Sequence, residues 1–133
     1  MPDLSDLEGM WSMRRAIRHA DGTAARLVGT ATWRDDGAGL LCAEAGRLRI
    51  AGGATLSAAR VTLFRDAPDG IEVQFADGRA FHRIGAGGSA LHDCPPDTYR
   101  LAYDFTAWPH WSVVWRVTGP RKDYVARTRY APA

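Results

Sequence analysis

Ile71-Glu72-Val73-Gln74-Phe75-Ala76-Asp77-Gly78-Arg79-Ala80-Phe81-His82-Arg83-Ile84 reads as two alternating segments hinged on an Asp-Gly dipeptide. Apolar Ile71, Val73 and Phe75 occupy every second position, with Glu72 and Gln74 between them. A period of two is the mark of a half-buried strand, and Asp-Gly supplies the positive φ that tight hairpin turns need. A two-residue loop at Asp77-Gly78 predicts Phe75 opposite Ala80, Val73 opposite His82 and Ile71 opposite Ile84. His82 then falls on the apolar face, while Arg79 and Arg83 share the other with Glu72 and Gln74.

The same punctuation recurs along the chain. Asp21-Gly22, Asp36-Gly37, Gly52-Gly53, Pro68-Asp69-Gly70 and Gly87-Gly88 mark turns, and Pro95-Pro96, Trp108-Pro109 and Gly119-Pro120 add three more. Nine turns join ten predicted strands at 10–20, 24–34, 40–50, 55–65, 71–76, 79–84, 90–94, 99–106, 111–118 and 122–130. A flat meander of this length leaves two exposed edges, which closure removes. The expected fold is therefore all-β: a closed antiparallel up-and-down β-barrel of about ten strands (eight to ten), in one domain over 1–133. Helix is confined to a short turn within 3–9, with Ser5 as a weak cap and Glu8 three residues on.

Composition narrows the class. The 133 residues are 46% hydrophobic and 24% charged, proportions of a globular chain. The net charge is +2, Lys122 is the only lysine, and acids alternate with the arginines along the chain. That pattern predicts a solvated surface and no nucleic-acid partner. No apolar run approaches the roughly 18 residues that a membrane helix needs. The start, Met-Pro-Asp-Leu-Ser-Asp, lacks an apolar signal region, and the two cysteines read as free thiols, so a cytoplasmic location is expected. A dimer through an outer barrel face suits a domain of this size.

Register extends the inner face. A turn centred on Gly87 sets His82 opposite His92 and Ala80 opposite Cys94, which places two imidazoles and a thiol on one wall. Tyr99, Leu101, Tyr103 and Phe105 share a face, with Trp111, Val113, Trp115 and Val117 across the next turn, then Tyr124, Ala126, Thr128 and Tyr130. Trp11, Met13 and Ile17 share a face with Arg15, and Leu40, Cys42, Leu48 and Ile50 share one with Glu44. In the fourth strand either Arg60 and Phe64 or Val61 and Leu63 point inward. By this count nine of thirteen aromatics line the interior.

Leu7-Glu8-Gly9-Met10-Trp11 resembles the Gly-x-Trp opening of lipocalins and fatty-acid-binding proteins. The resemblance implies a Trp across the barrel base, under a basic residue of the last strand such as Arg127 or Arg129. Gly9-x-Trp11, Asp77-Gly78-Arg79-x-Phe81-His82, His92-Asp93-Cys94-Pro95-Pro96-Asp97-x-Tyr99 and Trp115-x-Val117-x-Gly119-Pro120-Arg121-Lys122-Asp123-Tyr124 are together similar to a small lipocalin-like, calycin-type domain family of unknown function found in bacteria and fungi. That resemblance implies the barrel and leaves the activity open.

The candidate ligand-binding residues are Arg15, Glu44, Arg60, Phe75, His82, His92, Cys94, Tyr99, Tyr103, Trp115 and Tyr124. Inward charges are expensive alone, so Arg15 and Glu44 should pair with each other, with Arg60 or with a ligand. An aromatic wall with a few convergent polar groups describes a small-molecule pocket, here for an apolar or aromatic ligand with an acidic or polar end. An enzyme acting on a phenolic or related acid, in analogy with lipocalin-like decarboxylases, and a ligand-free structural module are the alternatives. No catalytic residue, resident cofactor or metal site is assigned, although His82 and His92 are of the type that holds haem or metal.

Overall fold

The computed structural model describes residues 1–133. The strands are β1 (Gly9–His19), β2 (Ala24–Asp35), β3 (Leu40–Ile50), β4 (Thr55–Ala67), β5 (Gly70–Phe75), β6 (Ala80–Gly85), β7 (Ser89–Cys94), β8 (Asp97–Asp104), β9 (Trp111–Thr118) and β10 (Asp123–Pro132). Each boundary lies within two residues of its sequence expectation. All ten belong to one antiparallel sheet, in which β1 pairs with both β2 and β10, so the meander curls into a barrel. A 3-10 turn at Leu4–Leu7 precedes β1; Asp3, not Ser5, takes its N-terminal position and donates its backbone N–H to Asp6 at 2.8 Å.

Closure is incomplete. Nine ladders run around the barrel, and none joins β6 to β7, which lie side by side. The expected pairs His82–His92 and Ala80–Cys94 therefore do not form. On its other edge β7 does pair, His92 lying opposite Tyr99 of β8. The glycine-rich turn is tied to β8 as well, Gly88 accepting from the Tyr103 N–H at 2.8 Å.

The Asp-Gly hairpin sets what fills the seam on the β6 side. Phe75 N–H donates to the Arg79 carbonyl at 2.9 Å and Gly78 N–H to the Phe75 carbonyl at 2.9 Å, so the loop holds three residues, Ala76 to Gly78. Gly78 sits at φ +88°, the left-handed residue that such loops require. Gln74, not Phe75, thus faces Ala80. A bulge restores the register, and Val73 still faces His82 and Ile71 still faces Ile84. The extra residue is Phe81, which turns inward beside His82, and both are buried. Its ring fills the seam, with centroids 4.4 Å from His82 and 5.2 Å from His92.

The lower end, where β1 starts, is plugged. Leu4 and Leu7 are buried, Trp11 donates its indole N–H to the Leu7 carbonyl at 2.8 Å, and Trp108 packs 5.4 Å from the Trp11 ring. Arg127 and Arg129 are exposed on the outer face, so neither covers Trp11. In β4, Arg60 and Phe64 point inward and Val61 outward, which the pairings Glu44–Arg60 and Leu40–Phe64 fix. Gly29 opposes Gly46 on the inner face of β2–β3, where the two backbones approach too closely for a Cβ on either.

Candidate functional site

The inner wall is aromatic through its lower and middle parts, where Trp11, Trp33 and Phe64 of β1, β2 and β4 join the rings of the later strands, and aliphatic toward the upper end of β1 to β4. Strands β5 to β9 contribute rings: Phe75 and Phe81 stack at 4.6 Å, Phe81 meets Trp115 edge-on at 5.3 Å, and Tyr103 stacks on Trp111 at 6.4 Å. These rings fill the lumen with one another and leave a chamber of only about 20 Å³. Strands β1 to β4 instead carry Ile17, Leu27, Leu48 and Ala58 toward the upper end. Their small and aliphatic side chains leave a separate pocket of about 210 Å³, floored by Arg15, Glu44 and Arg60. The continuous aromatic cavity expected from the sequence is thus divided, and its open part is aliphatic.

The floor is an ion triad. Glu44, 6% exposed, lies 3.1 Å from Arg15 through Oε1 and 3.0 Å from Arg60 through Oε2. Glu44 Oε2 also accepts from Arg15 Nη2 at 3.2 Å and from the Tyr130 hydroxyl at 3.4 Å. Arg15 is fixed further by its Nε–H donating to Thr128 Oγ1 at 2.7 Å. Burial works to raise the Glu44 carboxyl, but Arg60 and Arg15 outweigh it and hold it below the ordinary carboxylate range. Two guanidiniums share one carboxylate, so the floor carries one uncompensated positive charge. It belongs to Arg60, whose side chain is 37% exposed and stacks on the Trp115 ring at 4.6 Å.

Beneath the triad lies the small chamber. Trp33, Trp111 and Trp115 indole N–H, Arg60 Nε, His82 Nδ1 and Glu44 Oε1 are buried without a hydrogen-bond partner, and all six residues line it. The Oε1 contact with Arg15 is ionic without hydrogen-bond geometry. A polar space of this size accommodates about one water molecule. His82 Nε2 lies 2.7 Å from the Tyr103 hydroxyl, a side-chain link across the β6–β7 seam. Burial first, then the nearby His92 and Arg60, push the His82 imidazole down to about 3. Burial raises the Tyr103 and Tyr130 phenols, and it pushes the Cys42 thiol up to about 12.

Of the residues singled out from the sequence, Arg15, Glu44 and Arg60 meet at the pocket floor, and Trp115 backs Arg60. Phe75, His82, His92, Tyr99 and Tyr103 join the packed rings. Tyr124 stands at the upper rim against His19, with centroids 5.3 Å apart. Cys94 is exposed at the end of β7 and is no part of the inner wall. No three His, Cys, Asp or Glu side chains converge as a metal site would require. Trp33 and Phe81 went unmarked, although Trp33 shares the inner parity of Leu27 and Ala31 on β2, and Thr128, placed on the inner face, was not among the candidates.

An up-and-down barrel of ten antiparallel strands, open along one seam and plugged at one end, defines a lipocalin-like architecture. Within it, this chain belongs to the family of unknown function DUF6314, which matches residues 7–132. No curated protein matches the sequence. Among solved structures it is similar to the S-type phycobiliprotein lyase CPES from Guillardia theta, with a TM-score of 0.63 and 8% identity over 98% of this chain and 90% of that one. A de novo designed fluorescence-activating β-barrel aligns with a TM-score of 0.47 and 16% identity, over 98% of this chain and all of the other. No helix is long and apolar enough to cross a membrane.

Proposed function

We propose that this protein binds a small apolar or aromatic molecule carrying one negative charge, in the pocket above the Arg15–Glu44–Arg60 floor. The observation that carries the reading is the charge count: two guanidiniums and one carboxylate at the base of an aliphatic pocket. The surplus charge on Arg60 suits a carboxylate, which accepts two parallel N–H bonds from a guanidinium. Ile17, Leu27, Leu48 and Ala58 would cover the apolar body. The pocket of about 210 Å³ lies below the roughly 300 Å³ at which pockets for drug-sized ligands begin, which suits a small acid such as benzoate or a short-chain carboxylate.

The titratable groups favour binding over proton transfer. A general acid or base works best near the operating pH, whereas burial drives His82 far below neutrality and Tyr103 and Tyr130 above it. The free thiols of Cys42 and Cys94 are in keeping with a reducing, cytoplasmic setting.

Calorimetric titration with matched carboxylates and alcohols of one carbon skeleton tests the proposal. The carboxylate should bind at least about tenfold more tightly, the equivalent of one charged hydrogen-bond pair, and Arg60→Met should erase the difference. Equal affinity for acid and alcohol would refute the charge argument.

A further inference from the structure

The sheet sorts arginines that the sequence intersperses with acids. On the outer face of β4 to β6 the charges alternate across strands, Arg65 against Glu72 against Arg83. Arg65 and Arg83 are further paired with Asp36 and Asp69, at 2.8 and 3.1 Å. The outer face running from β8 through β9, β10, β1 and β2 to β3 does the reverse. There Arg100 stands directly opposite Arg116, Arg129 opposite Arg14, and Arg26 opposite Arg49. Arg18, Arg47 and Arg127 occupy the same face between them. Of these nine only Arg116 holds a carboxylate, Asp123, at 2.6 Å, and the other eight are exposed.

Like charges directly opposed across a strand pair destabilise a sheet. Five of the six paired arginines bring no packing in return, because their side chains stand in solvent; Arg116 alone is held, by Asp123 and by the Val117 and Tyr124 carbonyls. An anionic partner turns that repulsion into binding. A groove of about 480 Å³ opens beside these rows, lined by Arg18, Arg26, Arg116 and Arg127 and, at the barrel rim, by His19, Tyr124 and the single carboxylate Asp123, which Arg116 already holds. A concavity between arginine rows fits a narrow anionic ridge better than a flat lipid surface. The aromatic side chains at the groove, His19 and Tyr124, stack on each other at 5.3 Å at the barrel rim, and none stands among the outward-facing residues of β8 to β10 and β1 to β3, so unpaired bases find no row of rings to stack on. Val28 is exposed among the arginines, between Arg14 and Arg47, and one such side chain is too little apolar surface to anchor the face in a bilayer. Guanidinium groups match phosphodiester oxygens in a bidentate fork.

From this register we infer that the arginine face binds the phosphate backbone of a nucleic-acid duplex, without reading its sequence, as a function separate from the barrel pocket. Fluorescence anisotropy with two labelled DNA duplexes of unrelated sequence, and one RNA duplex, measures it directly. Dissociation constants in the range of about 10⁻⁶ to 10⁻⁴ M, equal for the two DNA sequences, are expected near physiological salt. Neutralising four or five phosphates gives a slope of about −4 for log affinity against log salt. Arg26→Glu with Arg127→Glu should weaken binding about 100-fold, whereas Arg79→Glu with Arg83→Glu, on the far side, should change it less than about twofold. Three results would overturn the inference: no binding at about 50 mM salt, equal losses in both double variants, or capture by phosphatidylglycerol vesicles with the duplexes ignored.

Discussion

His82 converts the closed interior into a measurable pH dependence. Its imidazole is 6% exposed, touches Phe81 and Tyr103, and faces the positive Arg60 and the neighbouring His92. Folded, it stays neutral down to about 3; unfolded, it takes a proton near its ordinary value of 6.5. Between those limits the unfolded chain binds more protons than the folded one, so stability falls as pH falls. From pH 7 to pH 5 that linkage removes about 2 kcal/mol. The perturbation is His82→Gln, which keeps a polar group toward the Tyr103 hydroxyl and cannot titrate. Urea unfolding at both pH values gives four free energies, and only their double difference matters. The parent should lose about 2 kcal/mol more than the variant across this interval. If both lose the same amount, His82 takes its proton as readily in the folded state as in the unfolded one and the burial argument fails.

Gly29→Ala should destabilise the barrel by about 1–3 kcal/mol in the same urea assay, because its Cβ would run into the Ala45 carbonyl and come within 2.6 Å of Gly46 Cα. Gly53→Ala is the matched control, since a Cβ there meets nothing nearer than 3.7 Å, and its stability should be unchanged. With Ellman's reagent the native protein should release one equivalent quickly, from exposed Cys94, and the second only on denaturation, because Cys42 is buried with its thiol pushed up to about 12.

The strand count was legible because each turn carries its own chemistry. Asp-Gly, Gly-Gly and Pro-containing dipeptides state where the chain reverses, whatever lies far away in sequence. The inward charges were legible too, since parity alone puts Arg15 and Glu44 among apolar neighbours. What parity cannot see is an odd residue. One extra loop position at Ala76 and one bulge at Phe81 cancel in the pairing of Val73 with His82, yet they move a ring into the seam. From the Gly85–Ser89 turn onward, register rested on an assumed partner: no ladder joins β7 to β6, and Cys94, though it keeps the parity of His92, ends β7 beside the Pro95-Pro96 turn and is exposed. The arginine face was hidden for a different reason: Arg14 and Arg129 are far apart in sequence, and only barrel closure sets them side by side.

The unzipped line between β6 and β7 gives this cylinder an adjustable bore. Around the rest of its circumference the diameter is dictated by main-chain spacing, which tolerates no gradual change. Here it is dictated by the bulk of Phe81, His82, His92 and Tyr103. Larger or smaller residues at these few places would spread or cinch the tube without breaking a ladder. The width of the lumen is in this way set by four side chains, while every other strand stays where it is.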